Sequence, residues 1–303
     1  MTAEATTEAR QLPYILAITE GVRQSLQEYD TSFLAGEDVG LAGSVFRIYK
    51  GLYAEFGPER VIDSPISEAG LIGLGVGAGA TGLRPMIDIM FSDFIGECMD
   101  EIANQLAKTR YMFGGKARVP LVIRTIYGGG YRAAAQHSQV LHSLFTHIPG
   151  LKTVVPSTPY DAKGLLISSI RDDDLVIFFE DITFGAMKGK VPEEAYSIPF
   201  GKADIKKKGD DVTIVAIGKM VHQALDAAKQ LEKQGKSAEG LDPRTLSPFD
   251  EESVLESVHK TGRLVIADES HPRCNVATDI SALVADKGFD DLNAPIKIVC
   301  APH

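Results

Sequence analysis

Two short stretches of this chain carry side chains whose type and setting suit proton chemistry. In Asp63-Ser64-Pro65-Ile66-Ser67-Glu68-Ala69-Gly70 a single carboxylate, Glu68, opens a run of alanine, glycine and aliphatic residues that lasts to Gly82. A carboxyl group among small apolar residues has few partners and little water, and desolvation disfavours its charged form. Such a group exchanges a proton near neutral pH and suits acid or base catalysis. A plainer reading fits the same residues: Ser67 or Asp63 caps a helix, and Glu68 lies in its first turn facing the helix dipole. The second stretch is Arg132-Ala133-Ala134-Ala135-Gln136-His137-Ser138-Gln139, which follows Gly128-Gly129-Gly130. A histidine flanked by two amides beyond a glycine-rich loop is placed as site residues are. A structural histidine fits this position equally.

Other motifs lead away from common chemistries. Gly77-Ala78-Gly79-Ala80-Thr81-Gly82 has the G-x-G-x-x-G spacing. The dinucleotide fingerprint needs a strand before it and a helix after it, and here that order is reversed. The run reads better as a helix kept smooth for close approach to a second helix, of this subunit or another. Each helical glycine costs about 1 kcal/mol relative to alanine, which close packing would offset. His142 and His147 follow His137 at intervals of five, a spacing that does not share one helix face, so a metal trio is not expected. No nucleophile elbow and no phosphate loop occurs. Asp172-Asp173-Asp174 reads as a solvated turn, with a cation site as the lesser reading.

Composition bounds the partners. The chain has 303 residues, 44% hydrophobic and 24% charged, with a net charge of −10. That charge argues against nucleic acid, whose phosphates require basic side chains. No apolar run approaches a membrane span. Cys98, Cys274 and Cys300 are odd in number and scattered, which suggests free thiols in a reducing, cytoplasmic setting.

The elements that must position Glu68 and His137 alternate strand and helix, so an α/β architecture of two doubly wound domains is expected. Strands are read at Ser32–Val39, Val61–Asp63, Pro85–Phe91, Val119–Thr125, Thr153–Val155 and Val176–Phe179. Helices are read over Glu68–Gly82, Phe94–Phe113 and Asp161–Ile170. A polar connector between Gly185 and Gly201 separates the halves. Strands at Val212–Ile217, Ala238–Leu241, Leu264–Asp268 and Ile296–Cys300 then alternate with helices over Val221–Gln234, Glu251–His259 and Ala277–Asp286. We divide the chain into a disordered tail (1–12), a first domain (13–188) and a second domain (189–303). Ending straight after a core strand, the second domain reads as truncated.

Pro65-Ile66-Ser67-Glu68, Gly82-Leu83-Arg84-Pro85, Ala134-Ala135-Gln136-His137-Ser138-Gln139, Pro149-Gly150-Leu151-Lys152 and Asp161-Ala162-Lys163-Gly164-Leu165 occur in this order. Together they resemble the β subunit of the first component of thiamine-diphosphate-dependent 2-oxo acid and acetoin dehydrogenase complexes, from about Tyr14 to the C-terminus. Phe91-Ser92-Asp93-Phe94-Ile95-Gly96, Tyr131-Arg132-Ala133, Pro156-Ser157-Thr158-Pro159-Tyr160 and Ala301-Pro302-His303 are most similar to the acetoin branch. Pyruvate and branched-chain 2-oxo acid dehydrogenases are the alternatives.

The resemblance implies a pyrimidine-binding domain followed by a transketolase C-terminal-like domain. It implies an oxidoreductase subunit that cleaves acetoin and passes the acetyl unit to a lipoyl group. Its partners would be an α subunit, in an α2β2 heterotetramer, and a lipoyl-bearing acyltransferase. A non-catalytic scaffold for an α subunit is the reading from another class; having both Glu68 and His137 argues against it. Thiamine diphosphate would lie between α and β, with Mg²⁺ and the diphosphate held by α. The α motif Gly-Asp-Gly is missing here, since Gly209-Asp210-Asp211 lacks the third glycine. By the same resemblance Glu68 hydrogen-bonds a ring nitrogen of the aminopyrimidine, with Ser67 beside it on the cofactor side. Phe94 lies against that ring, and His137 faces the reacting carbon, the substrate oxygen and the incoming lipoyl group. Asp172 and its surroundings loosely match a structural K⁺ position, with Asp174 in place of the usual Asn. The segment that family members carry after Ala-Pro-His is lacking, and Gly240 stands where a β-branched strand residue is usual.

Overall fold

Runs of Val, Ile and Phe form strands buried on both faces, as a parallel sheet covered by helices demands. Val176–Asp181, for example, is buried at every position. A computed structural model describes residues 10–302. Seven strands form the first sheet, in the order Thr245–Ser247, Lys152–Val154, Val176–Asp181, Val122–Tyr127, Arg84–Phe91, Ser32–Glu37, Val61–Ser64. Neighbours run parallel, except that Thr245–Ser247 lies antiparallel on Lys152–Val154. That edge strand comes from the second half of the chain.

Successive strand residues point to opposite faces. On one face Leu34, Met86, Val122 and Phe178 meet the helices Tyr14–Glu28 and Pro159–Arg171. On the other, Phe33, Ile87, Ile123 and Ile177 meet Leu71 and Ile72 of the helix Glu68–Ala80. This second core continues without a break into Val215, Leu241 and Ile266 of the second sheet. Each such aliphatic side chain stabilises the fold by roughly 1.5–3 kcal/mol. The second sheet has the order Lys297–Val299, Leu264–Ala267, Val212–Ala216, Ala238–Asp242, Asp204–Lys207, with only the last strand antiparallel. The helices Glu251–Thr261 and Val276–Lys287 pack on it through Val254, Val258 and Ile280.

Three features depart from the sequence reading. The helix expected over 94–113 is three pieces: a 3-10 turn (Ser92–Cys98), a π-helix (Glu101–Leu106) and an α-helix (Ala107–Met112). The buried residues Ile95, Cys98, Ile102 and Leu106 are spaced by three, then four and four. An unbroken α-helix would put these four on one face as well, so their spacing does not account for the break. Residues 10–12, assigned to the tail, are ordered: Gln11–Pro13 pairs with Lys188–Lys190, and Arg10 bonds Glu20. Residues 1–9 lie outside the described residues, as does His303. The helix Tyr14–Glu28 was not anticipated, although Ile18, Val22 and Leu26 repeat at its buried face. Among the described residues no helix is long and apolar enough to cross a membrane, and the three cysteines are free.

Candidate active site

After Ser32–Glu37 the chain steps to one side of that strand, and with Arg84–Phe91 to the other. Ligands of open α/β sheets bind at such a switch point, outside the carboxyl ends of the strands. The predicted residues gather at this edge. Glu68 begins the helix that follows Val61–Ser64, and Phe94 lies in the 3-10 turn that follows Arg84–Phe91. His137 sits in a short 3-10 turn of the long loop after Val122–Tyr127.

Phe94 and His137 are in direct contact. The imidazole stands edge-on to Phe91 and Phe94, with ring centroids 4.7 Å and 5.3 Å away. Phe46 extends the cluster, 5.9 Å from Phe91 and 6.5 Å from Tyr131. His137 Nδ1, Ser138 Oγ and Asp93 Oδ2 are buried atoms without a hydrogen-bond partner in the chain. They are polar groups free to meet a ligand in an otherwise apolar wall.

The helix carrying Glu68 packs by one glycine face only. A Cβ on Gly75 would come within 2.5 Å of Leu121, and one on Gly79 within 2.8 Å of Val119. Close packing therefore explains these two. Gly73 and Gly77 would meet nothing within 4 Å. Glu68 itself is half-buried, and Ile66 just before it is 81% exposed. The dry surroundings expected for the carboxylate are thus only partly supplied by this chain. The expected cap is absent too: Ser67 occupies the N-cap position without a side-chain hydrogen bond. Asp63 is drawn elsewhere, accepting from the backbone N–H groups of Gly40 and Leu41.

Glu37 was not singled out from the sequence beyond its place in the strand read at Ser32–Val39. Burial pushes its carboxyl above the usual range, and the charges of Glu68, Asp38 and Asp88 push the same way. A carboxyl raised in this way at a strand's carboxyl end is a candidate site residue. Phe91 and Phe46 were also missed as ring partners, since their meeting depends on loops far apart in sequence. Cys98, at the back of the same turn, is buried and its thiol is pushed up to about 12 by desolvation, with Glu101 and Glu68 adding to it. It is no nucleophile.

Asp172 stands apart from this edge and fits a cation site poorly. Its carboxylate binds Lys152 at 2.6 Å, Asp173 binds Arg84 and Arg118, and Asp174 binds Arg110. The Ile170 and Asp172 carbonyls both accept from Arg84 at 3.0 Å. The acidic run is neither free in solvent nor short of positive charge. Among the described residues no group of three or more His, Cys, Asp or Glu side chains is placed to hold a metal ion.

An aminopyrimidine ring asks for a carboxyl group at a ring nitrogen and an apolar wall, and Glu68 with Phe91 and Phe94 fits that requirement. The site therefore suits the pyrimidine half of a thiamine cofactor.

Family models match both halves of the chain. Residues 10–182 match the transketolase pyrimidine-binding domain and residues 201–303 the transketolase C-terminal domain. Fold and site thus define a transketolase-type pyrimidine-binding protein, a class whose cofactor is thiamine diphosphate. The β subunit of acetoin:2,6-dichlorophenolindophenol oxidoreductase from Bacillus subtilis is 57% identical over 307 residues, covering 97% of this chain and 90% of that protein. The β subunit of the pyruvate dehydrogenase E1 component from the same species is 44% identical over 293 residues, covering 96% and 90%. The chain belongs to this family of thiamine-diphosphate-dependent dehydrogenase β subunits. A solved split-gene transketolase, an inactive β4 tetramer, superposes with a TM-score of 0.79 at 22% identity, covering 96% of this chain and 89% of that one. That likeness concerns the fold alone.

Proposed function

We propose that this chain is the β subunit of an acetoin-cleaving, thiamine-diphosphate-dependent dehydrogenase that works with an α subunit in an α2β2 assembly. The observation that carries the reading is the Phe94–His137 contact at the sheet edge where Glu68 begins its helix, in a chain more similar to an acetoin-oxidising relative than to a pyruvate-oxidising one. When bound, thiamine diphosphate supplies a carbon nucleophile for cleaving the bond beside a carbonyl. The Glu68 carboxyl holds the pyrimidine through a hydrogen bond at a ring nitrogen, with Ser67 beside it, while Phe94 and Phe91 exclude water from that ring. His137 Nδ1, buried and unpartnered, is the group that hydrogen-bonds the substrate oxygen or moves its proton. The α subunit closes over exposed Ile66 and the open glycine face, completing the desolvation of Glu68, and brings Mg²⁺ and the diphosphate ligands. The acetyl unit then passes to a lipoyl group of an acyltransferase partner.

The test is turnover of this chain mixed with its α partner, thiamine diphosphate and Mg²⁺. Acetoin, pyruvate and a branched 2-oxo acid are offered side by side with an artificial electron acceptor. Turnover of acetoin alone is the expected result. Turnover of the oxo acids instead would keep the site assignments and replace the substrate. An assembled complex inert towards all three would leave a scaffold.

A further inference from the structure

The loop that delivers His137 is strained and is held from outside. Gly128, Arg132 and Ala134 all have positive φ, at 114°, 59° and 65°. Two of the three carry a Cβ, which disfavours that region of backbone space. Such a loop keeps its shape only if its surroundings enforce it. One end is closed by the Gly128 N–H donating to the Gln139 carbonyl at 3.3 Å, and the Gln139 N–H donates to Asp93 at 3.2 Å. Asp93 adjoins Phe94, so this anchor belongs to the first domain and sits beside the His137 ring.

The other anchor comes from the second domain. The Gly129 N–H donates to Glu269 Oε1 at 3.3 Å, and the same oxygen binds Lys219 Nζ at 2.5 Å. Lys219 also lies 4.0 Å from Asp181 Oδ2, at the carboxyl end of a central strand of the first sheet. A Cβ on Gly130 would come within 2.6 Å of Thr183 and 3.2 Å of Lys219 Nζ, so the loop is seated tightly on this pair. Glu269 and Lys219 are both largely covered, with side chains 18% and 23% exposed. A screened, solvent-loose ion pair is therefore the wrong description of them.

We infer that Glu269, oriented by Lys219, is a positioning residue for His137. The second domain sets the loop geometry, and through it the distance between the imidazole and the reacting atoms. This rests on His137 acting at the site as proposed above. Misplacing a reacting group by about 1 Å costs roughly a hundredfold in rate. In the reconstituted α–β complex, Glu269→Ala is expected to lower kcat about ten- to a hundredfold with little change in KM. Glu269→Gln retains most of the activity, because its amide oxygen still accepts from Gly129. In a His137→Ala background, Glu269→Ala causes no further loss, since the group it positions is gone. Backbone hydrogen exchange over residues 128–139 quickens in Glu269→Ala and not in His137→Ala. Losses that multiply in the double variant, or unchanged exchange, would overturn the inference while leaving the site intact. A His137→Ala enzyme with full turnover would instead remove the site assignment, and the inference with it. Should Glu269→Ala fail to assemble, Lys219→Met probes the same pair with the same non-additivity expected.

Discussion

Two acidic regions of the first sheet sit side by side and are treated in opposite ways. In the interior, Arg124 binds Asp88 at 2.5 Å and Glu180 through two nitrogens, and Tyr49 donates to Asp88. All four are at least nine-tenths buried, and every charge has its answer within the chain. Burial pushes the Glu180 carboxyl up while Arg124 pulls it back. At the carboxyl edge, Glu37 and Glu68 have no basic partner among the described residues and remain half-buried. Asp88 contributes to both regions, since its charge also raises Glu37. The chain neutralises charge where it completes its own core and leaves it unanswered where it borders something else. An unanswered carboxylate is a poor contributor to stability and a good hydrogen-bonding group for a ligand.

That contrast can be broken by exchanging the roles. Glu68→Gln should lower kcat of the α–β complex by about 10²–10⁴, the range for removing an acid/base group. Its melting temperature should stay at the wild-type value; a fall in both would make Glu68 structural. Arg124→Met should do the reverse, destabilising the chain by about 3–5 kcal/mol because Asp88 and Glu180 are left buried and unpaired. Denaturant unfolding measures this, and a loss below about 1 kcal/mol would contradict the closed-network description.

Asp242 lies between these extremes, fully buried where the domains meet and 3.5 Å from Lys206, with Asp161 and Arg244 in the same cluster. Burial, reinforced by Asp161, raises its carboxyl from 3.8 to about 6. A raised acid binds its proton more tightly in the folded chain, so stability from this group is full at low pH and is lost as pH rises through about 6. Asp242→Asn keeps an acceptor for the Arg244 N–H and should flatten that part of the melting-temperature profile between pH 4 and pH 7. The smallest effect is expected at the open helix face. Gly77→Ala should stabilise the isolated chain by about 0.5–1 kcal/mol, yet weaken its association with α in a titration. Stabilisation with unchanged association would place α elsewhere.

Much of the sheet was legible because its strands are unbroken aliphatic runs, and the sequence motifs at Glu68 and His137, with Phe94 from the resemblance they carry, do fall at one sheet edge. What stayed hidden depended on partners remote in sequence. The Asp172–Asp174 run looked solvated because its cations, Arg84, Arg110, Arg118 and Lys152, lie on other elements. The second-domain anchor of the His137 loop is 140 residues from Gly129. The broken helix over 94–113 was hidden differently: its buried residues Ile95, Cys98, Ile102 and Leu106 keep ordinary α-helical spacing, so the pattern carries no sign of the break. Asp63 does not cap the helix because the N–H groups of Gly40 and Leu41, remote in sequence, take its carboxylate.

The short strand Thr245–Ser247 has a further consequence. It belongs by sequence to the second half and by hydrogen bonding to the edge of the first sheet, while one apolar core spans both sheets. Peeling the halves apart would expose that core and strip the strand from Lys152–Val154 at once. Unfolding of the described chain should therefore be a single cooperative event, one calorimetric transition in place of two, and a lesion in either half will be felt as lost stability in the other.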